Sequence, residues 1–249
     1  MALRIFPDQE VFYIVKVGII SDIHGNFEAL KSVMEDLKGY DLDALVCLGD
    51  LVGFGPHPSE VVGLVQELGI PTVKGNHDEA VCNGCSLDKF VFKSIEERDY
   101  VRQSLECTVR DLGQNDLTYL RGLPYQLEIQ CDSSSILFLH SIPDIRSYPS
   151  IEDIESFIDN TTSKYVFYGH THRHHMYIYK GNAVINVGSV GKPKHGNPMA
   201  SFCIAEFDQG CLKDLSFKYK DYQFDKVCRD LLRLGYPKQT ISFLQKGTG

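Results

Sequence analysis

The chain has 249 residues, 43% of them hydrophobic and 23% charged, a balance that suits one large α/β domain or two small ones around a substantial core. A formal net charge of -8 argues against a protein whose main task is to hold nucleic acid by its phosphates, though an anionic substrate stays open because bound metal ions invert a local field. No apolar run approaches the ~20 residues that span a membrane.

In chain order, residues 11–21 are a β-branched run around Val15, Val17, Ile19 and Ile20 and are predicted as a strand. Asn26 then caps a helix whose apolar positions Phe27, Leu30, Val33, Met34 and Leu37 follow the 3.6-residue period up to Gly39. A second strand is expected at 44–48, a second helix between Pro58 and Gly69, and a third strand at 70–74. This βαβαβ pattern implies a parallel sheet covered on both faces, with ligands gathered beyond the carboxyl ends of its strands. Residues 86–112 read as a helix on the stripe Leu87, Phe90, Val91, Ile95, Val101, Leu105, Val109 and Leu112, with a short turn at 117–120. Strands follow at 125–130, 136–140, 165–168, 176–179, 183–187, 201–207 and 212–219, interrupted by a helix at 151–160, and Gly181-Asn182 suits a hairpin turn. Helices around 221–234 and 237–245 close the chain. With no repeat, low-complexity tract or linker, residues 1–249 are expected to form a single domain of two packed sheets with helices outside.

Five clusters of Asp, Asn and His punctuate these strands: SDIHGN at 21–26, LGD at 48–50, GNHD at 75–78, LHS at 139–141 and GHTH at 169–172. Each has an ordinary reading when taken alone. An Asp after a strand caps the next helix, Gly-Asp and Asn-His-Asp are turn chemistry, and His140 can be a satisfied core histidine. His170 and His172, as His-x-His on an extended segment, are a frequent metal pair. Together at strand ends the five supply the hard oxygen and imidazole donors that a pair of divalent cations requires.

The ordered set D-x-H-x-N, G-D, G-N-H-D, H and G-H-x-H resembles the calcineurin-like metallophosphoesterase superfamily, and within it the small bacterial and archaeal phosphodiesterase branch. The motifs span residues 22 to 172, and the strand pattern fits as far as about Tyr219. The resemblance implies an α/β fold, a four-layer αββα sandwich of two mixed β-sheets flanked by helices. It implies a dinuclear centre with Asp22, His24 and His172 on one metal, Asn76, His140 and His170 on the other, and Asp50 bridging them. Two cations about 3.5–4 Å apart can share a hydroxide and clamp a phosphoryl group for in-line attack. His77 resembles the family's histidine that is not a ligand but contacts the phosphate, as a candidate acid for the leaving oxygen; Asn76 and His77 are thus the expected substrate contacts. Asp78 is read either as orienting His77 or as a structural cap. The metal is manganese, iron, zinc or nickel, since the donor set contains no thiolate.

The departures narrow the substrate. Leu51, Val52, Gly53, Phe54 and Gly55 follow Asp50, without the second Asp and the Arg of the Ser/Thr protein phosphatase pattern, which argues against that branch. Ser141 follows His140 where the family has Gly, and residues 186–190 match an N-x-G-S stretch whose glycine either approaches the site or makes a plain turn. The expected activity is hydrolysis of a small phosphate ester or nucleotide, with a dinucleoside-polyphosphate hydrolase or a non-catalytic scaffold as alternatives. The segment at about 86–121 is expected to act as a helical cap, and helices at about 221–245 to complete the domain. His57, and His195 beside Lys192 and Lys194, are read as facing substrate or as ordinary loop residues; the two lysines are the candidates for steering a phosphate. Cys82 and Cys85 form a lone CxxC, and the eight cysteines are otherwise scattered through apolar patterns. Pro7, Asp8 and Glu10 stand where a signal peptide needs its apolar core, so a reduced cytoplasmic protein is expected. The sequence carries no signal of oligomeric state.

Overall fold

A computed structural model describes residues 14–132, 134–145 and 148–248. Residues 11–13 of the first predicted strand, and the N-terminal stretch judged for a signal peptide, lie outside this set. The chain opens with β1 (Ile14–Ile20), α1 (Phe27–Leu37), β2 (Ala44–Cys47) and α2 (Pro58–Glu67). Asn26 caps α1 as expected, its side chain accepting from the Ala29 N–H. β1 and β2 are parallel, with Val17 opposite Ala44 and Ile20 opposite Cys47.

The third predicted strand does not form. Pro71 has no N–H to donate, so only a bridge around Thr72 survives: Cys47 N donates to Pro71 O (2.9 Å) and Val73 N to Cys47 O (3.0 Å). Lys74 N then turns away to Pro124 O. The GNHD stretch instead opens a short helix, α3 (Asn76–Cys82), whose N-cap Gly75 N–H donates to Asp78.

The predicted helix at 86–112 is shorter than its stripe. Residues 86–93 are turns and irregular chain, and α4 (Ile95–Asp111) starts only where the Ser94 side chain accepts from Glu97 N. Leu87 and Phe90 reach the core from this loop, which is why their spacing mimics a helical face. The short turn at 117–120 is a full helix, α5 (Gln114–Gly122).

The second half follows the predicted order: β3 (Gln126–Cys131), β4 (Ser134–Leu139), α6 (Ile151–Asn160), β5 (Tyr165–Tyr168), β6 (His175–Tyr179), β7 (Asn182–Asn186), β8 (Ala200–Asp208), β9 (Cys211–Lys220), α7 (Phe224–Arg233) and α8 (Gln239–Lys246). One sheet has the order β2-β1-β8-β9, the other β3-β4-β5-β7-β6, and both mix parallel and antiparallel pairs. The period-2 alternation of β1 turns Val15, Val17 and Ile19 toward Phe138, Phe167 and Ile185 of the facing sheet, while Ile20 packs with Leu30 and Val33 of α1. Helix α6 covers the outer face of the second sheet through Ile154 and Ile158. The result is two mixed sheets between helical layers, as the motif resemblance implied. Phe138 and Phe167 are fully buried between the sheets, each contributing about 1.5–3 kcal/mol of apolar transfer. Among the described residues no helix is long and apolar enough to cross a membrane. All eight cysteines are free thiols.

Candidate metal centre

β1 leads to Asp22 and His24, β2 leads to Asp50, α3 begins with Asn76 and His77, His140 directly follows β4, and the turn after β5 carries His170 and His172. The local backbone is unusual at five of these positions: φ is 54° at Asp22, 50° at His24, 51° at Asp50, 65° at His170 and 60° at His172. The left-handed region costs an L-residue ~1–2 kcal/mol, and Asp tolerates it better than bulkier residues. Five such residues at one spot aim their side chains together at the expense of local stability.

The hydrogen bonds fix the tautomers. His24 Nδ1 donates to Val52 O (3.1 Å), His140 Nδ1 to Leu48 O (2.8 Å) and His172 Nδ1 to Lys192 O (2.5 Å). A carbonyl can only accept, so each Nδ1 carries the proton and each Nε2 turns a lone pair inward when the ring is neutral. His24 Nε2 and His172 Nε2 lie 3.0 Å apart. Burial lowers the pKa of both rings, so they are neutral and neither Nε2 has a proton to share. Asp22 Oδ1 is 3.2 Å from His172 Nε2 and 3.8 Å from His24 Nε2. Three electron-pair donors thus converge in a buried space, and a cation suits that arrangement whereas a hydrogen bond does not.

The other half is similar. Asn76 Oδ1 lies 3.0 Å from both His140 Nε2 and His170 Nδ1. Asp50 Oδ2 stands 3.3 Å from His140 Nε2 and 3.7 Å from His24 Nε2, between the two groups, while its Oδ1 accepts from the His77 N–H (2.8 Å). Burial alone would raise the Asp50 carboxyl, but His140 and His77 beside it together outweigh burial and hold it well below the usual range. Conversely, burial pulls His140 down, yet Asp50, Asp22 and the Leu48 carbonyl together prevail and raise it to about 10.

The surrounding turns hold the donors in place. Asp22 accepts from Ser21 Oγ (2.6 Å) and from His170 N, which ties the first cluster to the last. In the N-x-G-S stretch, Ser189 Oγ donates to Asp22 O (2.8 Å) and Asn186 donates to Gly169 O, so this stretch braces the centre. Asp78 is a structural cap: its carboxylate accepts from Leu51, Val52 and Gly75 N–H groups and makes no hydrogen bond to the His77 ring.

His77 itself is buried, packed edge-on by Phe90 at 4.9 Å and at a tilt by Phe54 at 4.8 Å between ring centres, with Nδ1 unpartnered. Burial lowers its pKa to about 4. His57 does not face the centre; it pairs with Asp230 (2.9 Å) and Glu60. His195 packs with His174 and Tyr219. His175 bonds Tyr168, and Lys194 approaches Tyr148 OH at 3.5 Å. Lys192, read from sequence as a residue of an ordinary loop or a phosphate-steering one, is buried, and Phe54 was not singled out at all. The signal for Lys192 was its place three residues after Ser189, whose Oγ accepts from Lys192 N and fixes the turn.

The profile of the calcineurin-like phosphoesterase superfamily domain matches residues 15–210. An uncharacterized protein of Methanocaldococcus jannaschii is 31% identical over 228 residues, 84% of this chain and 88% of that protein. The crystal structure of a metallophosphoesterase from Sphaerobacter thermophilus is 27% identical and superposes with a TM-score of 0.74, covering 94% of this chain and 99% of the other. A hypothetical protein of Pyrococcus horikoshii shares the fold at a TM-score of 0.79 with 21% identity, covering 94% and 98%.

Proposed function

The chain belongs to the calcineurin-like phosphoesterase superfamily, metal-dependent hydrolases of phosphate esters, and from that premise we propose that it is a phosphodiesterase acting on a small phosphate ester or nucleotide through two divalent metal ions. Asp22, His24 and His172 would hold one ion and Asn76, His140 and His170 the other, with Asp50 placed to serve both. The observation that carries this reading is the facing pair of Nε2 atoms of His24 and His172, 3.0 Å apart with both protons committed to backbone carbonyls. Cations held there supply Lewis-acid polarisation of the phosphoryl oxygens and acidify a water.

The chain's own residues do the rest. Asp50 has an oxygen between the two imidazole groups and can serve both. His77, held by its own N–H on Asp50, is the candidate donor to the phosphate and its leaving oxygen. The whole chain is read as one domain in which the segment at about 86–121 acts as a cap. Phe90 against His77, the stacked pair Phe54–Tyr100 (5.3 Å) and the bond from Thr108 Oγ1 to Gly53 O (2.6 Å) bring this segment onto the loop after Asp50 and support that role. The metals are drawn from manganese, iron, zinc and nickel.

The test is hydrolysis of bis(p-nitrophenyl) phosphate against p-nitrophenyl phosphate by protein loaded in turn with each metal. The diester is cleaved faster; Asp50→Asn loses at least about 100-fold in kcat/KM, a metal ligand costing no less than the groups that support ligands, and His77→Ala loses about 100-fold or more, the loss of a general acid. Absence of cleavage of either ester with every metal overturns the reading.

A further inference from the structure

Where β8 begins and β9 ends, the turn before the one strand, the segment after the other and the last turn of α8 enclose a cavity of about 330 Å³. Its lining is Pro198, Met199, Asp221, Tyr222, Phe224 and Gln245, none of them a donor of the candidate metal centre. Pro198, Asp221 and Gln245 are exposed and the other three half-buried, so the cavity is open to solvent. Its walls are tied down. Ser32 Oγ donates to Asp221 O (2.8 Å), and Gly196 N donates to Gly247 O (2.8 Å) at the end of α8. Tyr222 packs both on the core around α1 and on the apolar cluster that joins α7 to α8. The space is therefore pre-formed, as small-molecule sites usually are.

The lining combines apolar surface with one charge. The Tyr222 hydroxyl is buried, which leaves its ring as the part presented to the cavity. Tyr222 and Phe224 stand 6.5 Å apart with 69° between their planes, the two sides of an aromatic corner. Among the described residues the Asp221 carboxylate makes no ion pair and accepts no hydrogen bond. Lys220 beside it gives its ammonium to Asp36 (2.7 Å), and Lys246, next to Gln245 on α8, is not part of the lining. A carboxylate without a counter-ion and two neighbouring π systems all attract a cation. We propose that this cavity binds a small organic cation, a primary ammonium carried on a flat apolar body, with Asp221 meeting the ammonium and Tyr222, Phe224 and Met199 packing on the body. An anionic ligand would meet the Asp221 carboxylate instead, so charge sets the selectivity and the apolar walls add area. The inference stands apart from the phosphodiesterase reading, since none of these six residues takes part in it.

Tryptamine is the probe, because the chain has no Trp and the indole can be excited where tyrosine does not absorb. Its fluorescence anisotropy is expected to rise saturably on titration with the metal-loaded full chain. Asp221→Asn weakens binding about tenfold or more, the loss of a charge-assisted contact. Asp221 is exposed, so this variant is expected to fold, and a thermal melt equal to the wild type checks it. Phe224→Leu keeps the carboxylate and thins the aromatic wall, and weakens binding about threefold. Two relatives of the probe separate charge from shape: tryptophol, with a hydroxyl in place of the amine, and indole-3-propionate, with a carboxylate. Both bind the wild type about tenfold or more weaker than tryptamine does, and tryptophol binds the wild type and Asp221→Asn alike. No saturable binding of tryptamine, equal affinity for tryptamine and tryptophol, or an affinity unchanged in Asp221→Asn overturns the proposal. So does tryptamine binding that appears only when the chelated protein is given metal, which would place the amine on the centre. A chain that cleaves no ester yet binds tryptamine through Asp221 would sink the phosphodiesterase reading and keep this one.

Discussion

At the scale of single residues, the centre is assembled as much by what is absent as by its donors. Gly169 lies where an added Cβ would collide with Ser21 Oγ and with the Asp22 carboxylate, which accepts from Ser21 Oγ and ties the first cluster to the last by accepting from His170 N. The carboxylate cannot retreat freely, since Asp22 is already committed to His170 N and faces His172. Gly169→Ala is thus expected to displace Asp22 and weaken metal binding about 10–100-fold, in the range of losses seen when a ligand's support is removed. Calorimetric titration of the metal-free variant measures this, and an affinity equal to the wild type would show that the close approach is not needed. Gly53 is similar in kind. Its φ of 138° and the nearness of His77 and His24 leave no room for a side chain in the turn after Asp50.

At the scale of elements, the ties among the outer helices are electrostatic as well as apolar. Glu28 of α1 is 3% exposed and bonded to Lys226 of α7 (2.6 Å) and Lys31 (2.9 Å). Burial alone would raise its carboxyl, but the bonds from Lys226 and Lys31 outweigh burial and lower it. A carboxylate depressed in the fold adds stability above its unfolded pKa of about 4.3, and that increment is lost as pH falls through the folded value. Glu28→Gln is therefore expected to cost about 1 kcal/mol at pH 7, because both lysines are part-exposed, and the difference from wild type is expected to close toward pH 3. Urea melts at the two pH values decide it; a gap that persists in acid would mean that the loss is one of packing. The legibility of the elements follows the same physics. Strands of the second half were readable because β-branched and aromatic runs alternate with turn residues, and helix α6 because its apolar period is regular. What was misread lay where local chemistry overrode periodicity. Pro71 broke a strand that its neighbours favoured, and the loop carrying Leu87 and Phe90 imitated a helical stripe, although Ser94 and Glu97 already marked the true start of α4. The candidate donors of the centre were legible from type and order, whereas the burial of the Lys192 side chain against Phe54, Tyr100 and Phe243 was not, since Tyr100 and Phe243 reach it from distant parts of the chain.

At the scale of the whole molecule, the proposed centre is a clamp between the two sheets. Asp22, His24 and Asp50 follow strands of one sheet, and His140, His170 and His172 follow strands of the other, so bound metal would join layers otherwise held by the apolar interface around Phe138 and Phe167. Ions that bind only the folded chain stabilise it by mass action, about 2.7 kcal/mol at a free concentration one hundred times Kd. For a chain of this length that corresponds to a rise in Tm of about 5–10 °C over chelated protein. The direction of its pH dependence follows from the ligands: imidazoles must shed their protons to bind, and Asp50, Asp22 and the Leu48 carbonyl together raise His140 to about 10, so the ion displaces a proton at neutral pH and does so at growing cost as pH falls. The metal-dependent rise in Tm should accordingly shrink between pH 7.5 and pH 5, and metal uptake at pH 7 should release protons, seen as a dependence of binding heat on the ionisation enthalpy of the buffer. A Tm that is the same in chelator and in metal would sink the clamp, because six donors from two sheets cannot close on a cation without joining the elements that carry them.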